Sequence, residues 1–195
     1  VILGAESTGT TTLARDLARE IGSPIALEAG RTASWVLAAR SGGWNNVVWS
    51  VAEFRRILAD QRRCEADAAH QGAHREPGQF GPWIVCDTDA LATVVWWERY
   101  LGKGSHEAIN AASVDLADIY IVTDPSDVVF AQDGIRNSEY LRFAMHERFC
   151  ELVEASGRPW RIVSGGRDHR LTSVVEFLRE FEETHPRFAT PDDAQ

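Results

Sequence analysis

The chain has 195 residues, 44% hydrophobic and 25% charged, ordinary values for a folded domain and enough length for one substantial core. Twenty basic against 29 acidic side chains give a formal charge of −9 with no long basic run, which argues against a nucleic-acid surface. There is no run of 18 apolar residues and no basic-plus-apolar leader, and Cys64, Cys86 and Cys150 are too few and too scattered for a disulfide framework. The expected setting is the cytoplasm, away from membranes.

In chain order, Val1-Ile2-Leu3 reads as the end of a first strand. Strands commonly run five or six residues, so residues upstream of Val1 are expected. Gly4-Ala5-Glu6-Ser7-Thr8-Gly9-Thr10-Thr11 follows, with the spacing of a phosphate-binding P-loop, and opens into a helix over 11–21. Such a loop works through backbone N–H groups gathered at a helix start, so the strand–loop–helix context supports the motif. Position 10, where the motif carries lysine, is threonine, and Lys103 is the only lysine in the chain.

Pro24–Leu27 reads as a second strand ending at Glu28, followed by a helix over 31–40 and a long helix over 51–71. Trp83–Cys86 is a continuous apolar run ending in Asp87, as for a buried parallel strand, and a helix over 89–101 follows. Ile119–Val122 is the next strand. A helix over 138–156 stops at Gly157, Arg161–Val163 is the last strand, and the last helix covers 170–183. Strands separated by helices predict an α/β fold, a parallel doubly wound sheet with helices on both faces. The domain is expected to span 1–184, with 185–195 a loose tail.

Ligands of such sheets bind outside the carboxyl ends of the strands, so the residues after each apolar run are the candidates. On the phosphate side these are Gly4, Glu6, Ser7, Thr8, Gly9, Thr10, Thr11 and Thr12, with Ser164 and Gly165 the candidates after the last strand; in related kinases backbone groups there usually meet the base. Thr11 by its hydroxyl and Asp87 by its carboxylate are candidate magnesium ligands, Thr11 also suiting a helix cap. Asp87 and Asp89 share one short turn, and either could take a proton from an attacking hydroxyl, Asp89 having the alternative of a helix cap. Glu28 and Arg31 follow the second strand, as acceptor contacts or as a structural ion pair. Asp133 and Arg136 lie in a segment that a lid would use to bring charge over the phosphates. Of the seven tryptophans, one or two, Trp96 among them, are expected to line an acceptor pocket.

Gly4-Ala5-Glu6-Ser7-Thr8-Gly9, the Glu28/Gly30/Arg31 trio, Asp87-Thr88-Asp89 with Thr93, and Asp133-Gly134-Ile135-Arg136 together resemble the ribosylnicotinamide kinase domain of NadR-type proteins, of the P-loop, AAA-type ATPase class. The resemblance covers residue 1 to about residue 180. It implies a nucleoside-kinase-like P-loop fold with a lid, and transfer of the ATP γ-phosphate to the 5′-hydroxyl of nicotinamide riboside, with ATP and Mg2+ as cofactors. In several members an adenylyltransferase domain lies upstream. It implies no nucleic-acid or membrane partner. The chain departs from the family at Thr10 for lysine, Ala29 for tyrosine, Thr32 for glutamate and Phe130 for tryptophan.

A missing loop lysine removes charge worth ~3–4 kcal/mol at a transferring phosphoryl group. Arg136 and Arg15 are the candidates to replace it, which leaves a kinase with displaced charge. The alternatives are a nucleotide-binding regulatory module without transfer activity, or a kinase for a different nucleoside-like alcohol.

Overall fold

A computed structural model describes residues 1–73, 80–102, 106–126, 128–129 and 139–185. The strands are β1 (Ile2–Leu3), β2 (Ile25–Ala26), β3 (Val85–Cys86), β4 (Tyr120–Thr123) and β5 (Trp160–Val163). The helices are α1 (Thr10–Glu20), α2 (Ala29–Arg40), α3 (Val51–Ala73), α4 (Ala90–Leu101), α5 (His106–Ala112), α6 (Arg142–Ser156) and α7 (Arg167–Thr184). Short 3-10 turns cover Trp44–Asn46 and Glu139–Leu141.

Every strand pair is parallel: β1 lies beside β4, β4 beside β5, and β2 beside β3. A parallel bridge between Ile2 and Asp87, with the Thr88 N–H donating to the Ile2 carbonyl at 3.0 Å, joins β3 to β1. The order is therefore β2-β3-β1-β4-β5, and the direction of winding reverses at β1. The phosphate loop leaves the sheet at this switch point, where α/β sheets open a crevice for ligands.

Strand alternation divides the core between the two faces of the sheet. Leu3, Tyr120 and Val122 pack with Phe54 and Leu58 of α3, Val94 of α4 and Phe149 of α6. Ile2, Ile121 and Val163 face the other way, onto Leu13 and Leu17 of α1 and Val174 and Leu178 of α7. The result is the expected three-layer α/β architecture. Helix α5 was not legible in the sequence: its inward residues are Ala108 and Ala112, too small to give a clear apolar period. Helix α7 begins three residues earlier than the pattern indicates, which draws Arg170 into its first turn. Among the described residues no helix is long and apolar enough to cross a membrane, and the three cysteines are free.

Candidate active site

The phosphate loop is shaped by close packing beneath it. The Thr8 hydroxyl donates to the Ala5 carbonyl at 2.8 Å, and the Thr123 hydroxyl at the end of β4 donates to Thr8 Oγ1 at 2.6 Å. A side chain at Gly4 would collide with both of these hydroxyls, so only glycine fits there. Ser7 and Gly9 take left-handed backbone conformations, with φ of 59° and 86°, and Gly9 stands at the start of α1. No side chain caps that helix and no acid lies in its first turn. Its N–H groups and positive dipole end are left to an anion.

Asp87 lies beside the loop. It is 2% exposed, and the Thr11 and Thr10 hydroxyls beside it favour its charged form. Burial pushes its carboxyl above the ordinary value of 3.8, against the pull of the Thr11 hydroxyl and of the Arg31 and Arg15 charges.

A single cavity opens from the loop toward α2, α3 and α4. Gly4, Glu6, Ser7, Gly9, Thr10, Thr11 and Thr12 form its phosphate wall, and Asp87 forms part of its floor. The opposite wall carries Glu28, Arg31, Trp49, Trp96 and Tyr100. Trp49 stacks on Tyr100 with ring centroids 4.9 Å apart, and Trp96 on Tyr100 at 6.4 Å. Glu28 and Arg31 form an ion pair at 3.4 Å, the structural alternative for these two, while still lining the cavity. Trp35 and Trp44 pack on each other, and Trp97 is a core residue against Phe54.

Residues 1–170 match the model of the AAA domain family. The chain belongs to that family. No curated protein matches it. The solved structures similar to this AAA domain include a NadR protein in complex with NR, at 22% identity and a TM-score of 0.68, and a NadR protein in complex with NAD and AMP-PNP, at 21% and 0.65. Each alignment covers 91% of this AAA domain and 50% or 48% of the solved chain, so the domain spans about half the length of those proteins. At this identity the likeness establishes the fold alone.

Several sequence expectations are relocated by the structure. Asp89 does not reach the cavity: its Oδ1 accepts the Leu91 and Ala92 N–H groups at 2.8 and 3.3 Å, and its Oδ2 accepts the Tyr120 hydroxyl at 3.0 Å. It is 3% exposed and caps α4, so the acid–base and substrate roles expected of it are withdrawn. The cause is Thr88, whose φ of 79° turns the chain between the two aspartates. A β-branched residue there is strained, and hydrogen bonds at both its N–H and its carbonyl hold it. Thr8 turns its side chain into the loop and does not line the cavity. Ser164 and Gly165 stand at the end of β5, outside the cavity. Asp133, Arg136, Phe130 and Lys103 lie outside the described residues.

Other residues emerge only in the fold. Gln61 of α3, 2% exposed, accepts the Ala29 N–H at 2.9 Å and donates to the Thr88 carbonyl at 3.2 Å. One amide thereby fastens the segment after β2 to the turn after β3. Arg99 donates to Glu6 at 2.8 Å within the loop and stacks over the Trp96 and Tyr100 rings. The signal for Gln61 was a polar residue continuing the apolar face of Phe54, Ile57 and Leu58.

Proposed function

We propose that this AAA domain is an ATP-dependent kinase that phosphorylates the 5′-hydroxyl of nicotinamide riboside or a closely similar nucleoside. The observation that carries the reading is that one cavity joins the phosphate loop to an aromatic and acidic wall. The triphosphate would lie on the backbone N–H groups of residues 7–12, with the base toward Ser164 and Gly165. A flat cationic ring suits the opposite wall, which Trp49 and Trp96 line and where Glu28 supplies a carboxylate. The NR complex of the similar NadR structure and the resemblance of the motifs support this acceptor.

Thr11 and Asp87 fit magnesium, because both are hard oxygen donors lining the same cavity beside the loop, and magnesium needs few protein ligands when phosphate oxygens and water complete its shell. When bound it would neutralise charge on the β- and γ-phosphate oxygens. The acceptor oxygen forms its bond to the γ-phosphorus as the bond to the bridging β–γ oxygen breaks, leaving ADP. With Asp89 committed to its cap, Asp87 is the member of the turn able to take the hydroxyl proton. The demand on it is small, since the transition state of such transfers is loose and dominated by positioning. Arg31 lines the cavity and Arg15 acts on Asp87, and with Arg136 they are the charges proposed to replace the loop lysine.

One observation favours a second reading. The lysine position holds Thr10, a neutral hydroxyl, which suits a nucleotide-binding regulatory module without transfer activity. Calorimetric titration of a nucleoside panel, with and without a non-hydrolysable ATP analogue, separates the readings. The kinase reading expects nicotinamide riboside to bind more tightly than uncharged nucleosides, and more tightly still with the analogue present. Equal, weak binding of all nucleosides would overturn it.

A further inference from the structure

Arg170 is a charged residue buried where its helix should be apolar. It stands on the inward face of α7 with Val174, Leu178 and Phe181 and is 5% exposed. All three ends of its guanidinium are engaged. Nη1 donates to the Thr8 carbonyl at 2.6 Å, Nη2 to the Asp124 carbonyl at 2.9 Å and Nε to the Gly165 carbonyl at 2.8 Å. These carbonyls belong to the phosphate loop, the residue after β4 and the turn after β5. A planar fork of five N–H groups can reach three separate segments at once, and an ammonium at the end of a flexible stem cannot hold the same geometry.

The bond to Thr8 has a consequence for the loop. In a trans peptide the carbonyl and the next N–H point in opposite directions. Holding the Thr8 carbonyl outward onto Arg170 therefore turns the Gly9 N–H away from α7. A side chain built on Gly9 would start 3.9 Å from Arg170 Nη1, so the guanidinium lies directly behind the residue that begins α1.

We propose that Arg170 is the positioning residue of the nucleotide half: one buried guanidinium locks the Thr8–Gly9 peptide in its anion-binding orientation and couples the phosphate loop to the strand ends at Asp124 and Gly165. The proposal rests on the reading that the loop binds nucleotide phosphates. It also accounts for a loop that keeps its form without the lysine, because the clamp acts from behind and not from within the site.

The test is hydrogen–deuterium exchange of the wild-type chain with inorganic tripolyphosphate, which has phosphates and no base. Coupling through Arg170 predicts that protection of residues 4–12 is accompanied by protection of residues 164–169, which the probe does not touch. Protection of residues 4–12 alone overturns the proposal and leaves the nucleotide reading intact. No protection of residues 4–12 overturns the nucleotide reading, and the proposal falls with it. Arg170→Lys keeps the charge and loses the fork. It is expected to weaken binding of a non-hydrolysable ATP analogue at least tenfold while nucleoside affinity stays within twofold. Unchanged analogue affinity would overturn the proposal, and if that variant does not fold, the wild-type exchange experiment decides.

Discussion

The two walls of the cavity are built by different means. The phosphate wall is a backbone structure: its form comes from Gly4 packed against Thr123 and Thr8, from left-handed Ser7 and Gly9, and from carbonyls held outside the site. The acceptor wall is a side-chain structure, made by Glu28, Arg31 and three aromatic rings and held in register by the Gln61 amide. A backbone site tolerates the exchange of a side chain that merely visits it, so threonine at position 10 leaves the loop standing. A side-chain site does not, and the chain's departures at Ala29 and Thr32 fall on the segment that carries it. On the proposed reading, phosphate binding and acceptor choice are therefore separable.

That separation can be broken by variants that strike one wall at a time. The largest effect is expected from Gly4→Ala. Its methyl group would meet two buried hydroxyls, and nucleotide binding should fall more than a hundredfold, read by titration with an ATP analogue. Gln61→Leu comes next. It strands the Ala29 N–H and the Thr88 carbonyl, at ~1–3 kcal/mol for each buried group left without a partner. Thermal melting should drop, and nucleoside affinity should weaken more than tenfold while analogue affinity holds. Equal weakening of both ligands would refute the division of the site.

Asp87→Asn tests the seam between the walls. Burial raises the Asp87 carboxyl, so its proton is favoured in the folded state and its charge opposes folding. The asparagine variant should therefore be the more stable protein at neutral pH, melting at a higher temperature than the wild type. That gain should disappear as the pH falls through the raised value toward 3.8. Magnesium-dependent nucleotide affinity should move oppositely, complete above the raised value in the wild type, lost below it, and weak throughout in the variant. Thr10→Lys should have the smallest effect, raising turnover less than about tenfold if arginines already supply charge, where an uncompensated site would gain the full two to three decades.

Much of the phosphate wall was legible in the sequence because its specification is local: two glycines at fixed spacing, a strand before and a helix after. The α/β architecture was legible for the same reason, through apolar runs alternating with helical periods. What escaped was what tertiary contact decides. Asp87 and Asp89 are equivalent by pattern, and the left-handed Thr88 that parts them belongs to a residue type that gives no sign of it. Arg170 and Gln61 looked like ordinary polar positions of helices until their partners, 162 and 27 residues away in sequence, came into view. A polar residue inside an apolar helical face is the sign they shared.

The central claim is transfer, and ³¹P NMR of the chain with ATP, magnesium and nicotinamide riboside tests it most directly. A working kinase gives a new phosphomonoester signal that grows with ADP and requires the riboside, and that survives in Thr10→Lys. An ATP analogue that binds tightly, with no phosphomonoester formed by wild type or variant, would contradict it.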